Sequence, residues 1–342
     1  MNTPPRISVV LPARNAARSL PAALDSLFRQ TLRDIEIIVL DDGSDDDGAT
    51  RRVIETYAAC DRRLRPVFLP RRGIAATLNS GLALARADIV ARMDADDVSL
   101  PARLELQADL LDAHPEVAVA GCLVAHGGDR VRNAGYARHV SWANSLTRHE
   151  EIALGLFRDS PLPHPSVAFR KNAVLEHGGY RLGDFPEDYE LWLRLATGGA
   201  RFAKVPETLL VWNDPRGRLS RTDARYAPEK FAAVKAPHLA RWLSRHNPHH
   251  PEIIVAGAGR ITRKRAEFLT ACGVCIKAYL DVDPDKIGRI VHGRPVLHRD
   301  EVPGPEKCFV ASYLSGVGAA ADVSAFLESR GFKRAASYLL AG

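Results

Sequence analysis

The sequence predicts an α/β protein: a mostly parallel, helix-covered sheet followed by a second, smaller α/β unit. Three observations carry this. From Arg6 to Met93, apolar runs of strand length alternate with helical patterns, the order expected of a parallel sheet. Acids gather where those runs end, at Asp41, Asp42, Asp94, Asp96 and Asp97. Ligands of such sheets bind outside the carboxyl ends of the strands. Finally, a Pro- and His-rich stretch, HNPHHPE, leads into a fresh strand that runs into Gly257-x-Gly259.

The elements follow in order. RISVVLPA reads as a strand. Residues 17–30 form a helix, with Leu20, Leu24, Leu27 and Phe28 at helical spacing. IEIIVLDDGS is a second strand closing in acids and a turn. Residues 46–60 are helical, with Val53, Ile54 and Tyr57 on one face. RPVFLP is the third strand, 74–86 the next helix and ADIVARM (87–93) the fourth strand. Beyond residue 115 the pattern loosens, and Gly and polar residues crowd 121–144. FPEDYELWLRLATGG restores a helix. Glu187 and Asp188 lie in its first turn, where the helix dipole favours negative charge, and Gly198–Gly199 ends it. Leu191, Trp192 and Leu195 form its buried side. The predicted domains are 1–245 and 252–342, joined by a linker at 246–251. In the second, EIIVAGAGR and VCIKAYLDVD are strands, and KCFVASYL and KRAASYLL flank a helix over 317–329.

Composition narrows the function. A chain of 342 residues has room for two domains. A net charge of +6 suits an anionic substrate or an anionic membrane surface. It is too small to argue for nucleic acid, and no basic block is interleaved with aromatics. No apolar run reaches the roughly 20 residues that span a bilayer, and the N-terminus lacks a signal-peptide core. The expectation is a cytoplasmic protein, with peripheral contact at the inner face of the membrane allowed. Five cysteines, an odd number without a secretory signal, point to reduced thiols. Cys272-x-x-Cys275 has no second pair to complete a zinc site.

The acids of MDADD carry the chemistry. Three carboxylates in four positions repel one another unless a cation sits among them. Oxygen ligands suit Mg²⁺ or Mn²⁺, ions often shared with substrate phosphates. The competing reading is a polar loop that caps the helix beginning near Pro101. Asp41 and Asp42 could likewise only cap a turn, and Glu187 and Asp188 could be no more than helix N-terminal acids.

LPARN, LDDGS, MDADD and PEDYELWLRL fall in one order, each in its strand or helix context. Together they resemble family 2 glycosyltransferases of the GT-A fold, over roughly residues 6–225. The resemblance implies a metal-dependent, inverting transfer from a nucleotide-diphosphate sugar, with a UDP-sugar as the default donor. It further implies a hydroxyl on a carbohydrate or lipid-linked acceptor, in surface polysaccharide or glycolipid assembly. By the same resemblance Pro12, Ala13 and Arg14 contact the nucleobase and Asp41 reads it. Asp94 faces the ribose or sugar, Asp96 is the metal ligand with Asp97 close by, and Asp188 is the base. The family's Arg-Asn pair in the third helix is Leu78-Asn79 here, so Asn79 keeps a donor role without the charge. His164 has a structural and a functional reading. In NDPRGRLSR (213–221), Arg218 and Arg221 would suit phosphates, and one of Arg71 and Arg72 could approach the diphosphate. No Q-x-x-R-W motif of processive synthases is present, which favours single transfer.

The second unit resembles small Rossmann-like domains appended to sugar-processing enzymes. Gly257, Gly259 and Asp281 are its candidate nucleotide site, with Thr262 where the fingerprint wants Gly or Ala. It could equally be an interaction module without ligand. The alternative function is a nicotinamide-dependent oxidoreductase or nucleotide-binding module centred there, although no Tyr-x-x-x-Lys arrangement accompanies it.

Overall fold

A computed structural model describes residues 4–129, 131–215 and 217–342. The chain divides into two compact units. The first runs through Ala153 and adds Ser160–Gly183 and Glu187–Thr222; the second holds Leu154–Asp159, Asp184–Pro186 and Asp223–Gly342.

The first unit opens with β1 (Ile7–Ala13), α1 (Leu20–Phe28), β2 (Ile35–Asp42), α2 (Ala49–Cys60), β3 (Leu64–Leu69), α3 (Ile74–Leu84) and β4 (Ile89–Arg92). β1 and β2 are buried at every residue, as central strands covered on both faces must be. There follow β5 (Val98–Ser99), α4 (Arg103–Ala113), β6 (Val117–Gly127), α5 (Ala134–Asn144), α6 (His149–Gly155), β7 (Ala168–Arg170), α7 (Lys171–Glu176), α8 (Glu187–Thr197), β8 (Arg201–Asn213) and α9 (Leu219–Thr222). The sheet order is β3-β2-β1-β4-β7-β6-β8-β5. The β3-β2-β1-β4 half is parallel, whereas β7 runs antiparallel to both β4 and β6. β1 has β2 on one side and β4 on the other, so the strand order reverses there. The crevice of an open α/β sheet lies at such a point, which puts Ala13, Asp42 and Arg92 around it.

Two expectations need correction. Residues 121–144 are not a loose stretch. β6 extends to Gly127 and pairs with the 13-residue β8, and α5 follows. Alternating small and apolar residues hide the strand in its sequence. Gly121 is small for a packing reason: a Cβ there would meet Leu162 and Lys204 at 3.0 Å. The helix expected from residue 46 begins at Ala49 instead. Asp46 stays outside and accepts from Thr50 N at 3.0 Å and Thr50 Oγ1 at 2.6 Å. Of the segment 213–221, Arg216 lies outside the described residues; the rest is the end of β8, a turn and the start of α9.

The second unit contains α10 (Pro228–His246), β9 (Glu252–Ala256), α11 (Arg260–Thr270), β10 (Cys275–Asp281), β11 (Ile290–Val291), β12 (Arg294–His298), β13 (Val310–Ser312), α12 (Ala319–Ser329) and β14 (Tyr338–Leu340). Its sheet order is β11-β12-β10-β9-β13-β14, parallel apart from the β11–β12 hairpin. α10 groups with this sheet: Lys235 Nζ donates to Ala341 O at 2.6 Å. A domain boundary near residue 245 therefore stays a proposal.

Candidate active site

The loops after β1 and β2 hold each other. Asn15, with a φ of +51°, donates its N–H to Ser44 Oγ at 2.9 Å and its amide to Asp45 at 2.5 Å. Arg14 lies 3.3 Å from Asp45. Asp41 Oδ1 accepts from Ser44 N at 3.0 Å and Ser44 Oγ at 2.5 Å. Asp42 uses both oxygens on the N–H groups of Arg72 (2.8 Å) and Gly73 (3.0 Å), which fixes the entry to α3. Gly43 between them is obligatory: φ is +64°, and a Cβ would sit 2.5 Å from Arg71 N. Asp41 thus keeps an oxygen for a ligand, while Asp42 is a loop anchor.

The acids after β4 converge. Asp94, Asp96 and Asp97 each offer an oxygen, and these atoms lie within 4.8 Å of one another. Buried Arg92 pairs with Asp94. Asp97, 1% exposed, accepts from Asn213 N at 2.8 Å, and the Asn213 amide donates to Asp96 O at 2.7 Å. The second oxygen of Asp97 is buried without a partner. Burial, and then the charge of Asp94, push the Asp96 carboxyl up to about 6; Arg218 opposes them. Asp97 is likewise pushed well up by burial and by the charges of Asp94 and Asp96. Crowded oxygen donors that are costly to ionise, one of them orphaned, fit a hard divalent cation. The sequence points to Asp96 as the ligand; the structure adds Asp97 as a full member of the cluster and Asn213 as its anchor.

Asp188 begins α8. Its Oδ1 accepts from Tyr189 N at 2.7 Å. Burial and then the charge of Glu187 push its carboxyl up to about 7, opposed by that N–H and by Arg92. Asp94 adds to the upward push, so the base candidate and the acid cluster share one electrostatic field. A carboxylate poised near neutrality suits a general base. α8 is anchored by the buried Glu190–Arg194 pair at 2.7 Å, and Arg194 also donates to Gly179 O at 2.7 Å.

The model of the glycosyl transferase family 2 matches residues 8–179, a span that holds both loops and the acid cluster. The chain belongs to glycosyl transferase family 2. It is 32% identical over 200 residues to the amylovoran biosynthesis glycosyltransferase AmsE of Erwinia amylovora, covering 56% of this chain and 69% of that protein. It is 26% identical over 243 residues to the Escherichia coli UDP-Gal:alpha-D-GlcNAc-diphosphoundecaprenol beta-1,3-galactosyltransferase, covering 70% and 86%. Among solved structures, S. aureus TarS 1-349 in complex with UDP-GlcNAc superposes with a TM-score of 0.55 at 17% identity, over 78% of this chain and 71% of that one. A longer TarS chain is matched over 44% of its length. The GT-A fold and the glycosyltransferase class are thereby established.

Around the transferase site, other expected residues take different places. Asn79 is a clamp: its amide donates to Tyr180 O at 2.7 Å and accepts from Tyr180 N at 2.9 Å. Asn79 thus ties α3 to the backbone of Tyr180. His164 is buried, with Nε2 at 2.8 Å from Tyr180 Oη and its ring edge-on to Trp192. Burial, and then the charge of Arg92, hold it well below the usual histidine range.

Sequence reasoning missed Arg103 and Gln107. Arg103, fully buried, donates to Arg92 O at 2.6 Å; Gln107 donates to Ala120 O at 2.7 Å and Ser166 O at 2.8 Å. Arg103 pins the end of β4 next to the acid cluster, and Gln107, which accepts from Arg103 Nε at 3.1 Å, ties it to β6 and Ser166. The available signal was two polar residues one helical turn apart on the face that carries Leu104, Ala108 and Leu111. Arg103→Ala should lower unfolding free energy by about 3 kcal/mol or more, because a cavity opens and carbonyls lose their donor. Urea denaturation measures this; a loss near zero would remove the pinning role.

In the second unit, Gly257 has a φ of +102°, and a Cβ there would meet Leu314 at 2.8 Å and Thr262 at 3.0 Å. Asp281 Oδ2 accepts from Ala258 N at 2.9 Å, and Oδ1 accepts from Val282 N and Asp283 N at 2.9 and 3.0 Å. The Gly turn and Asp281 do meet at the strand ends. Asp281 is already occupied by backbone.

Proposed function

We propose that this glycosyltransferase moves a sugar, with inversion, from a nucleotide-diphosphate sugar to a hydroxyl acceptor. A UDP-sugar is the favoured donor, with Mn²⁺ or Mg²⁺ as cofactor. The observation that carries the proposal is the convergence of Asp94, Asp96 and Asp97, whose oxygens lie within 4.8 Å of one another beside the buried Arg92 that pairs with Asp94. Pro12, Ala13 and Arg14 border the nucleobase, and the free oxygen of Asp41 reads it. Asp94, oriented by Arg92, faces the ribose or sugar. Asp96, with Asp97, would hold the divalent cation. That ion supplies positive charge to the departing diphosphate. Asp188 takes the proton from the acceptor hydroxyl as that oxygen attacks the anomeric carbon. One base without a second carboxylate nucleophile implies a single displacement, hence inversion.

The relatives named above support a place in surface polysaccharide assembly with a carbohydrate or lipid-linked acceptor. No helix among the described residues is long and apolar enough to cross a membrane, which is consistent with a cytoplasmic enzyme that meets such an acceptor at the inner face of the membrane. No observation favours the nicotinamide reading, and the second unit is proposed as an accessory domain.

The test is direct. The full chain is incubated with a panel of UDP-, GDP- and dTDP-sugars and Mn²⁺, and released nucleoside diphosphate is assayed. NMR of the product then reports anomeric configuration. Retention would overturn the single displacement, and release with no nucleotide sugar would overturn the donor class.

A further inference from the structure

Tyr180 is held by α3, by α8 and by the short helical turn His164–Ser166. From α3, Asn79 donates to Tyr180 O at 2.7 Å and accepts from Tyr180 N at 2.9 Å. From α8, Arg194 donates to the adjoining Gly179 O at 2.7 Å. The Tyr180 hydroxyl shares a 2.8 Å hydrogen bond with His164 Nε2. The His164 ring in turn stands edge-on to Trp192 of α8, with centroids 5.8 Å apart. Tyr180, His164 and Trp192 are all buried.

The turn His164–Ser166 is itself fastened to the end of β4. Arg92 N donates to Val167 O at 2.9 Å, and Gln107 of α4 donates to Ser166 O at 2.8 Å. Asp94, Asp96 and Asp97 follow β4, and α8 opens with Glu187 and Asp188. The Tyr180 hydroxyl lies in the field of both segments. Burial pushes it up, Arg92 opposes that, and Glu187 and Asp188 add to the push.

A buried hydroxyl and a buried imidazole satisfy each other only within a narrow range of distance and angle. Apolar contacts between the same segments would tolerate sliding. The Tyr180–His164 bond therefore fixes how α8 stands against the end of β4. Group transfer needs that precision, since a misplacement of about 1 Å can cost about 100-fold in rate.

We propose that Tyr180 and His164 are positioning residues that set the base Asp188 against the acids after β4. This rests on the transferase reading and assigns a role to the histidine of PLPHPS. Both residues act through Asp188, by placement.

The full chain is compared with Tyr180→Phe, His164→Leu, His164→Gln, the Tyr180→Phe/His164→Leu double variant and Asp188→Asn. The probes are UDP-glucose, UDP-galactose, UDP-N-acetylglucosamine, GDP-mannose and dTDP-rhamnose with Mn²⁺ and water as the acceptor. Released nucleoside diphosphate gives kcat and KM; UDP calorimetry and melting temperature are the controls. Tyr180→Phe and His164→Leu should each lower kcat about tenfold, with KM and UDP affinity within about twofold of wild type. The double variant should be no slower than either single one, because both break the same bond. His164→Gln, whose amide can still meet the hydroxyl, should recover most of the rate. A lower melting temperature with wild-type kcat overturns the proposal, as do losses that multiply in the double variant. If His164→Leu does not fold, Tyr180→Phe and His164→Gln decide. A slow Asp188→Asn beside an unaffected Tyr180→Phe overturns the positioning pair alone. Asp188→Asn at the wild-type rate overturns the base and this proposal with it, and a wild-type chain inactive on every probe overturns the transferase reading.

Discussion

Asp188→Asn should abolish transfer while leaving donor affinity within about twofold of wild type. The substitution keeps size and helix position but removes the group that accepts the acceptor's proton. General-base catalysis of this kind contributes about 10²–10⁴-fold, so a loss of that size is expected in kcat. Donor binding should be preserved because, in the proposed reading, the diphosphate meets the cation held by the acids after β4 and not α8. The pH profile follows the same logic. The carboxyl is pushed up to about 7 and must be ionised to act. The wild-type rate should therefore climb about tenfold per pH unit below that value and level off above it. Steady-state kinetics across pH checks both statements. A variant that transfers at the wild-type rate would falsify the assignment of the base.

Removing the cation site should separate binding from chemistry in the opposite way. Asp96→Ala deletes an oxygen ligand and part of the like-charge pressure on Asp97. The Mn²⁺-dependent part of UDP affinity should vanish, a loss of about 100-fold, because the diphosphate is left without its counter-charge. Without metal, wild type and variant should bind UDP alike. Calorimetry with and without Mn²⁺ resolves this. An undiminished metal increment in the variant would move the cation away from the cluster.

Much of this site is legible in the amino-acid sequence. Asp41, Asp94, Asp96 and Asp188 each sit at the end of a strand or the start of a helix that local pattern identifies. Their order along the chain carries the family. Asn79 also clamps the backbone of Tyr180, 101 residues away. Periodicity cannot foresee such a contact. Arg103 and Gln107 are silent for the same reason. A polar side chain on an apolar helix face shows that it is buried, not what it binds.

Local pattern is enough to specify the parallel half of the first sheet, the acids at its carboxyl edge and the start of a second α/β unit. Those features depend on neighbours a few residues apart, where strand length, helical spacing and turn residues act directly. Long-range packing is what makes β6 and β8 long partners, anchors Asp97 of the acid cluster on Asn213, and brings His126, Trp212 and Asp214 to one buried place. These depend on burial and on the repulsion between charges from distant segments. Burial and the charge of Glu187 likewise set Asp188 near neutrality, and no local pattern encodes the depth at which a side chain is buried.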